Sequence, residues 1–142
     1  MPTLDYELFS VSAPHGWADI TAELEPGAPI TLAQPDKDSG ALQFSVGAFR
    51  AGPRPDADTS VLVEMLDDFA ATRALTRTSE VRTASSPCHV AMADHTDGEF
   101  HMRVWYLSDG ENFALATHTS GVFDPDEFEA ADGIVRTLRW RP

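Results

Sequence analysis

One cysteine, Cys88, is all the sequence holds, so no internal disulfide can form and stability must come from packing; a reducing compartment is permitted. No run approaches the roughly 18 uninterrupted apolar residues of a membrane-spanning helix, so membrane insertion is not expected. The first residues lack the Lys or Arg of a signal peptide and carry Asp5 and Glu7 instead. With Met1 read as a native start, the expected location is the cytoplasm. Basic side chains are scarce, 10 against 23 acidic ones, for a formal charge of −13. Such a surface repels phosphate backbones and anionic lipid head groups, which argues against nucleic-acid binding and favours a partner protein with a basic surface. The acids are spread evenly, 12 before residue 71 and 11 from there on, so there is no detached acidic tail.

Signatures of the common enzymes are missing as well. There is no Gly-x-Ser-x-Gly elbow, no His-Glu-x-x-His, no glycine-rich phosphate loop and no Cys-x-x-Cys. Cys88 and His89 are adjacent on an expected strand, where neighbouring side chains point to opposite faces, so they do not form a nucleophile pair. Neither a catalytic residue nor a cofactor is expected. Asp36-x-Asp38-x-Gly40 and Asp56-x-Asp58-x-Ser60 begin like calcium loops, but the twelfth positions are Gly47 and Asp67 and the sixth-position glycine is absent; both read as polar turns.

What is present is an ordinary globular composition, 42% hydrophobic and 23% charged over 142 residues, the size of one domain spanning 1–142. Aromatic and β-branched residues mark a strand at 4–11, and alternation marks another at 17–24. A short strand follows at 29–33 and a longer one at 41–49. After the Gly-Pro-Arg-Pro break at 52–55, Val61, Leu62, Met65, Leu66, Phe69 and Ala70 recur at helical spacing, with Asp58, Thr59 and Ser60 as N-cap candidates for a helix ending near Arg73. Strands are expected at 79–84 and 88–95, then a hairpin of 100–107 and 112–119 around Asp109-Gly110. Asp124 as N-cap, Pro125 at the first helical position and Glu127 three residues after the cap start a second helix, whose stripe is Phe128, Ala131, Ile134, Val135 and Leu138. The fold class is α+β: a predominantly antiparallel sheet of six or seven strands packed with two amphipathic helices. The pattern does not decide whether the helices share a face of the sheet.

The order of landmarks resembles the PsbP-like superfamily of α/β/α sandwiches, which includes the Ran-binding Mog proteins and the bacterial DcrB-like proteins. It rests on Pro14-His15-Gly16-Trp17, Gly40-Ala41-Leu42-Gln43-Phe44-Ser45, Arg103-Val104-Trp105-Tyr106-Leu107, Ala116-Thr117-His118 and the closing Gly133-Ile134-Val135-Arg136-Thr137-Leu138. The resemblance implies a sandwich fold and a non-enzymatic accessory role; bacterial members include exported lipoproteins and immunity proteins that neutralise a toxin. Cys88 is internal and is no lipobox cysteine, which sets the lipoprotein role aside. The implied role is an immunity-type or accessory protein that masks a basic partner. The alternative is a small-ligand domain with a pocket between sheet and helix.

One constellation comes from counting along the hairpin. If Asp109-Gly110 is a two-residue turn, Ser108 pairs with Glu111 and His101 falls opposite His118. Arg103 then meets Ala116, and Trp105 meets Ala114. Two facing imidazoles would hold zinc only if His89 or His95 joined them, so His101 and His118 are a candidate pair and no metal site is assigned.

Overall fold

The computed structural model describes residues 2–37, 39–48, 59–86 and 88–141. Phe49, the break at 52–55, the Asp56/Asp58 motif with its N-cap candidate, Asp38 and Pro87 lie outside the described residues.

In the central hairpin the second strand alternates in burial, while the first is buried on both faces from Arg103 to Ser108. β8 (His89–Thr96), β9 (His101–Ser108) and β10 (Asn112–Ser120) lie side by side, and β10 pairs in turn with β5 (Ala41–Ala48). β4 (Ile30–Ala33) and β3 (Ala18–Asp19) extend the sheet beyond β5, while β6 (Thr76–Arg77) and β7 (Arg82–Ala84) pair with β8 at the other edge. A second, three-stranded sheet has the order β1 (Thr3–Asp5), β2 (Phe9–Ser12), β11 (Arg139–Trp140). Every ladder is antiparallel, and with two helices and eleven strands among the described residues the fold is α+β.

Helix α1 (Thr59–Thr72) buries Leu62, Leu66 and Phe69 at i, i+4 and i+7, against Ala91, Ala93, Val104 and Tyr106 of β8 and β9. Helix α2 (Pro125–Val135) buries Ala131, Ile134 and Val135 against Val90, Met92, Trp105 and Leu107, the residues of alternate parity on the same strands. Since successive strand residues point to opposite faces, the two helices cover opposite faces of the main sheet. The small sheet shares the α2 side: Phe9 and Val11 join that core, and the Phe9 and Phe44 rings are 5.6 Å apart. The start of α2 has its expected cap, with the Asp124 carboxylate accepting the Asp126 amide and Pro125 at the first position, but the Glu127 side chain turns to the sheet, to His118 and the Gly40 amide, instead of back to the cap.

Several expected elements are redrawn. The strand expected over 4–11 is the β1–β2 hairpin, with Leu4 opposite Val11, and it belongs to the small sheet. The strand expected over 17–24 shrinks to β3 followed by a 3₁₀ turn at Thr21–Glu23. There Asp19 accepts the Thr21 amide and the Tyr6 hydroxyl, at 2.8 and 2.7 Å, and Thr21 Oγ1 accepts the Thr31 amide, so polar side chains override the alternation. Between β6 and β7, Ser79 Oγ takes the Asp94 amide, which displaces a continuous strand over 79–84. Thr59 and Ser60 lie inside α1 rather than ahead of it.

Candidate functional site

The hairpin register fixes which polar groups meet, and it differs from the counted one. Asp109 occupies the first position of the turn: its carboxylate accepts the Glu111 and Asn112 amides at 2.9 and 2.7 Å, and its own amide reaches the Asn112 carbonyl. Gly110, with φ of 94°, takes the first central position, where a positive φ costs glycine nothing. The turn is thus centred on Gly110-Glu111, one residue later than expected, which moves every cross-strand partner by two. Ser108 pairs with Phe113, Arg103 with His118, Trp105 with Ala116, and His101 with Ser120. His101 and His118 share a face of the sheet but are not directly opposed. His89 and His95 pair with Ser108 and Met102, on the opposite face, and cannot join them. Among the described residues no three His, Cys, Asp or Glu side chains gather around a common point for a metal ion.

What the true register assembles is a row of polar contacts between the sheet and α2. His118, with no exposed surface, bonds through Nε2 to Glu127 Oε2 at 2.5 Å, and the same oxygen accepts the Gly40 amide at 3.1 Å. The imidazole stands edge-on to Phe128 at 4.8 Å and 5.9 Å from the Trp17 ring. Burial holds its pKa below the ordinary 6.5 and outweighs the opposing pull of Glu127, with Arg103 adding a smaller push in the same direction as burial. Facing a carboxylate that also accepts the Gly40 amide, the ring meets Glu127 as a donor through Nε2–H. Its Nδ1 has no partner among the described residues. Gly40 must be glycine here: a Cβ would lie 2.1 Å from the Thr119 carbonyl oxygen.

Next along the face, the Arg103 guanidinium grips both oxygens of Asp94, at 2.6 and 3.1 Å, and donates through Nη1 to Glu129 at 3.0 Å. Trp105 Nε1 donates to Asp132 at 2.8 Å, and Asp132 also accepts from Arg136. Glu127, Glu129 and Asp132 of α2 thus answer His118, Arg103 and Trp105 of the sheet in order. Such bidentate and charge-assisted bonds fix orientation more than they add stability.

A histidine, a carboxylate and an arginine in one cluster have the composition of an acid–base site. Access is closed, however: His118 is 0%, Arg103 4% and Glu127 9% exposed, beneath Trp17 and Phe128. The network fastens α2 to the sheet. The interior against each helix is filled, with Leu62, Leu66, Phe128 and Ile134 fully buried, and clefts lie where elements meet. One of about 230 Å³ lies beside the end of α1, between Gln43, Ser45, Arg73 and Thr117. Another of about 570 Å³ lies where the small sheet meets β4 and β5, between Tyr6, Phe9, Ile30 and Val46.

No family model matches this chain. No curated protein matches it either. A solved structure does: a Bacteroides thetaiotaomicron protein determined at 1.50 Å is 13% identical, with a TM-score of 0.58 over 94% of this chain. This chain spans only 45% of that protein's length. At that identity the likeness is one of fold alone.

Sequence reasoning placed Arg103 and Trp105 on one face but missed their partners. In the sequence Glu127 reads only as part of the start signal of α2, although its spacing from 131, 134 and 138 also puts it on the buried side, where a charge needs a partner. Asp94 and Asp132 gave no such signal, because the pairing that brings them in is tertiary.

Proposed function

We propose that this domain is a non-catalytic protein-binding module whose partner has a basic surface. One observation carries the reading: the cluster with the composition of an acid–base site, His118 with Glu127 and Arg103, is spent on holding α2, and the exterior that the molecule offers is acidic. A formal charge of −13 steers a cationic partner by long-range attraction and keeps copies of the chain apart. An immunity-type or accessory role that masks such a partner belongs to the same proposal, as does a cytoplasmic setting in which the Cys88 thiol stays reduced. Kinship with the PsbP-like sandwiches also remains a proposal, and the placement of a helix on each face of the sheet supports it.

Small-ligand binding is the weaker alternative: the cleft that does lie between the sheet and the end of α1, lined by Phe69, Arg73, Met102 and Leu115, holds about 230 Å³, below the roughly 300 Å³ at which small-molecule pockets begin. The test is capture of partners from the native cell extract at low and at high salt. Partners of high isoelectric point, recovered at low salt and lost at several times the physiological ionic strength, are expected. Neutral or acidic partners whose recovery ignores salt would contradict the proposal.

A further inference from the structure

One end of the main sheet is finished with apolar side chains that stand partly in solvent. His101 pairs with both Ser120 and Thr96, so the β8–β9 turn and the β10–α2 loop leave the sheet side by side. Just beyond that pairing Phe100 is 47%, Val122 73% and Phe123 40% exposed, three of the five large hydrophobic residues that stand out in solvent among the described residues. Isolated apolar residues on a surface are ordinary, but their collection on two adjacent loops is not.

The loops are held in place. Asp97 Oδ1 accepts the Glu99 and Phe100 amides, both at 2.8 Å, and Thr96 Oγ1 donates to the Phe100 carbonyl. Asp124 caps α2 on the other side. The Phe123 ring is braced from beneath by Phe128 at 4.8 Å and His101 at 5.8 Å. A side chain ordered before binding loses little entropy on contact, which is what an interface anchor requires. Around these residues stand the exposed acids Asp97, Glu99, Asp124 and Asp126, and neither 97–100 nor 121–126 contains Lys or Arg.

We propose that this end of the sheet, centred on Val122 and Phe123, is the docking surface for a protein segment that presents an apolar side chain flanked by Lys or Arg. The proposal rests on the reading of the domain as a binder of basic proteins and gives that reading its location. Charge complementarity selects the occupant. A second copy would set the acidic rim against itself, and an anionic membrane or nucleic acid would meet like charge.

The test uses a synthetic amphipathic peptide of Leu and Lys, and a second in which every Leu is Ser, titrated into the isotope-labelled domain and followed by NMR. The first peptide is expected to shift amides at 97–101 and 121–124, with the second binding roughly tenfold more weakly. Val122→Ser, Phe100→Ser and the charge reversal Glu99→Lys are each expected to weaken the first peptide by roughly tenfold while leaving the spectrum of the free domain folded, since all three side chains face solvent. Binding that these variants leave unchanged, or shifts confined to another surface, would overturn the docking site and leave the basic-partner reading standing. Failure of the parent domain to bind either cationic peptide would overturn that reading as well. Sedimentation showing self-association that Val122→Ser abolishes would replace the proposed partner with a second copy. Binding to phosphatidylserine vesicles that Val122→Ser abolishes would replace it with a lipid surface.

Discussion

His118 and Glu127 depend on each other, because each would be a buried polar group without a partner if the other were removed. Glu127→Leu orphans both the His118 ring N–H and the Gly40 amide, and is expected to cost about 2 to 4 kcal/mol in urea melts. The double variant His118→Leu/Glu127→Leu should cost at least about 1 kcal/mol less than the sum of the two single variants; simple additivity would show that the pair is not coupled. The same histidine makes stability depend on pH. Burial lowers the folded-state pKa of His118, and burial likewise lowers that of His95 against the opposing pull of Asp94. Both therefore bind fewer protons in the folded chain than in the unfolded one, so their contribution is complete above about 7.5 and is lost progressively as pH falls below about 6.5 and through the lower folded-state values. Urea midpoints should drop between about pH 8 and pH 5.5, and His118→Gln should flatten the slope; a midpoint that rises on acidification would reverse the assignment. Individual partners were the least legible layer of the sequence. A single-residue shift in the turn, set by the Asp109 carboxylate, turned an expected His101–His118 pair into His118 opposite Arg103.

The long elements, β5, β8 to β10, α1 and α2, follow from periodicity and caps, because each carries its own buried face. The short ones do not. β3, β6 and β11 are two-residue strands whose existence depends on a neighbour distant in sequence, as Trp140 depends on Phe9. The helix faces were also legible, though not which side of the sheet each would take. With the two helices on opposite faces, in separate clusters of buried residues, Leu66→Ala and Phe128→Ala should each cost about 2 to 5 kcal/mol and add to within about 0.5 kcal/mol when combined. A large coupling in the double variant would mean that the two cores are one. The end of α1 offers a change in the other direction. Ala74 has φ of 54°, and the Leu75 and Ala74 amides reach the Ala70 and Ala71 carbonyls in a Schellman arrangement whose left-handed residue is ordinarily glycine. Ala74→Gly should therefore stabilise the domain by about 0.5 to 1 kcal/mol, read as a higher urea midpoint. An unchanged or lower midpoint would show that the cap is not strained.

At the scale of the molecule, charge and closure point the same way. His118, Arg103 and Glu127, the part of the polar network that looks chemical, are buried beneath α2, and the accessible surface is acidic, with an apolar crest at one end of the sheet. Composition alone revealed the charge; the crest emerged only once the register placed residues 97–100 beside 121–124. The central claim is that this domain captures a basic protein by electrostatic steering, and the most direct measurement is the association rate of the purified domain with a partner recovered from its own cells, followed by stopped flow across ionic strength. The account predicts a rate that falls by roughly tenfold or more from low to physiological salt, with a shallower slope for the variant carrying Asp97→Asn, Glu99→Gln and Asp126→Asn. A rate independent of salt, with the same slope in that variant, would contradict it.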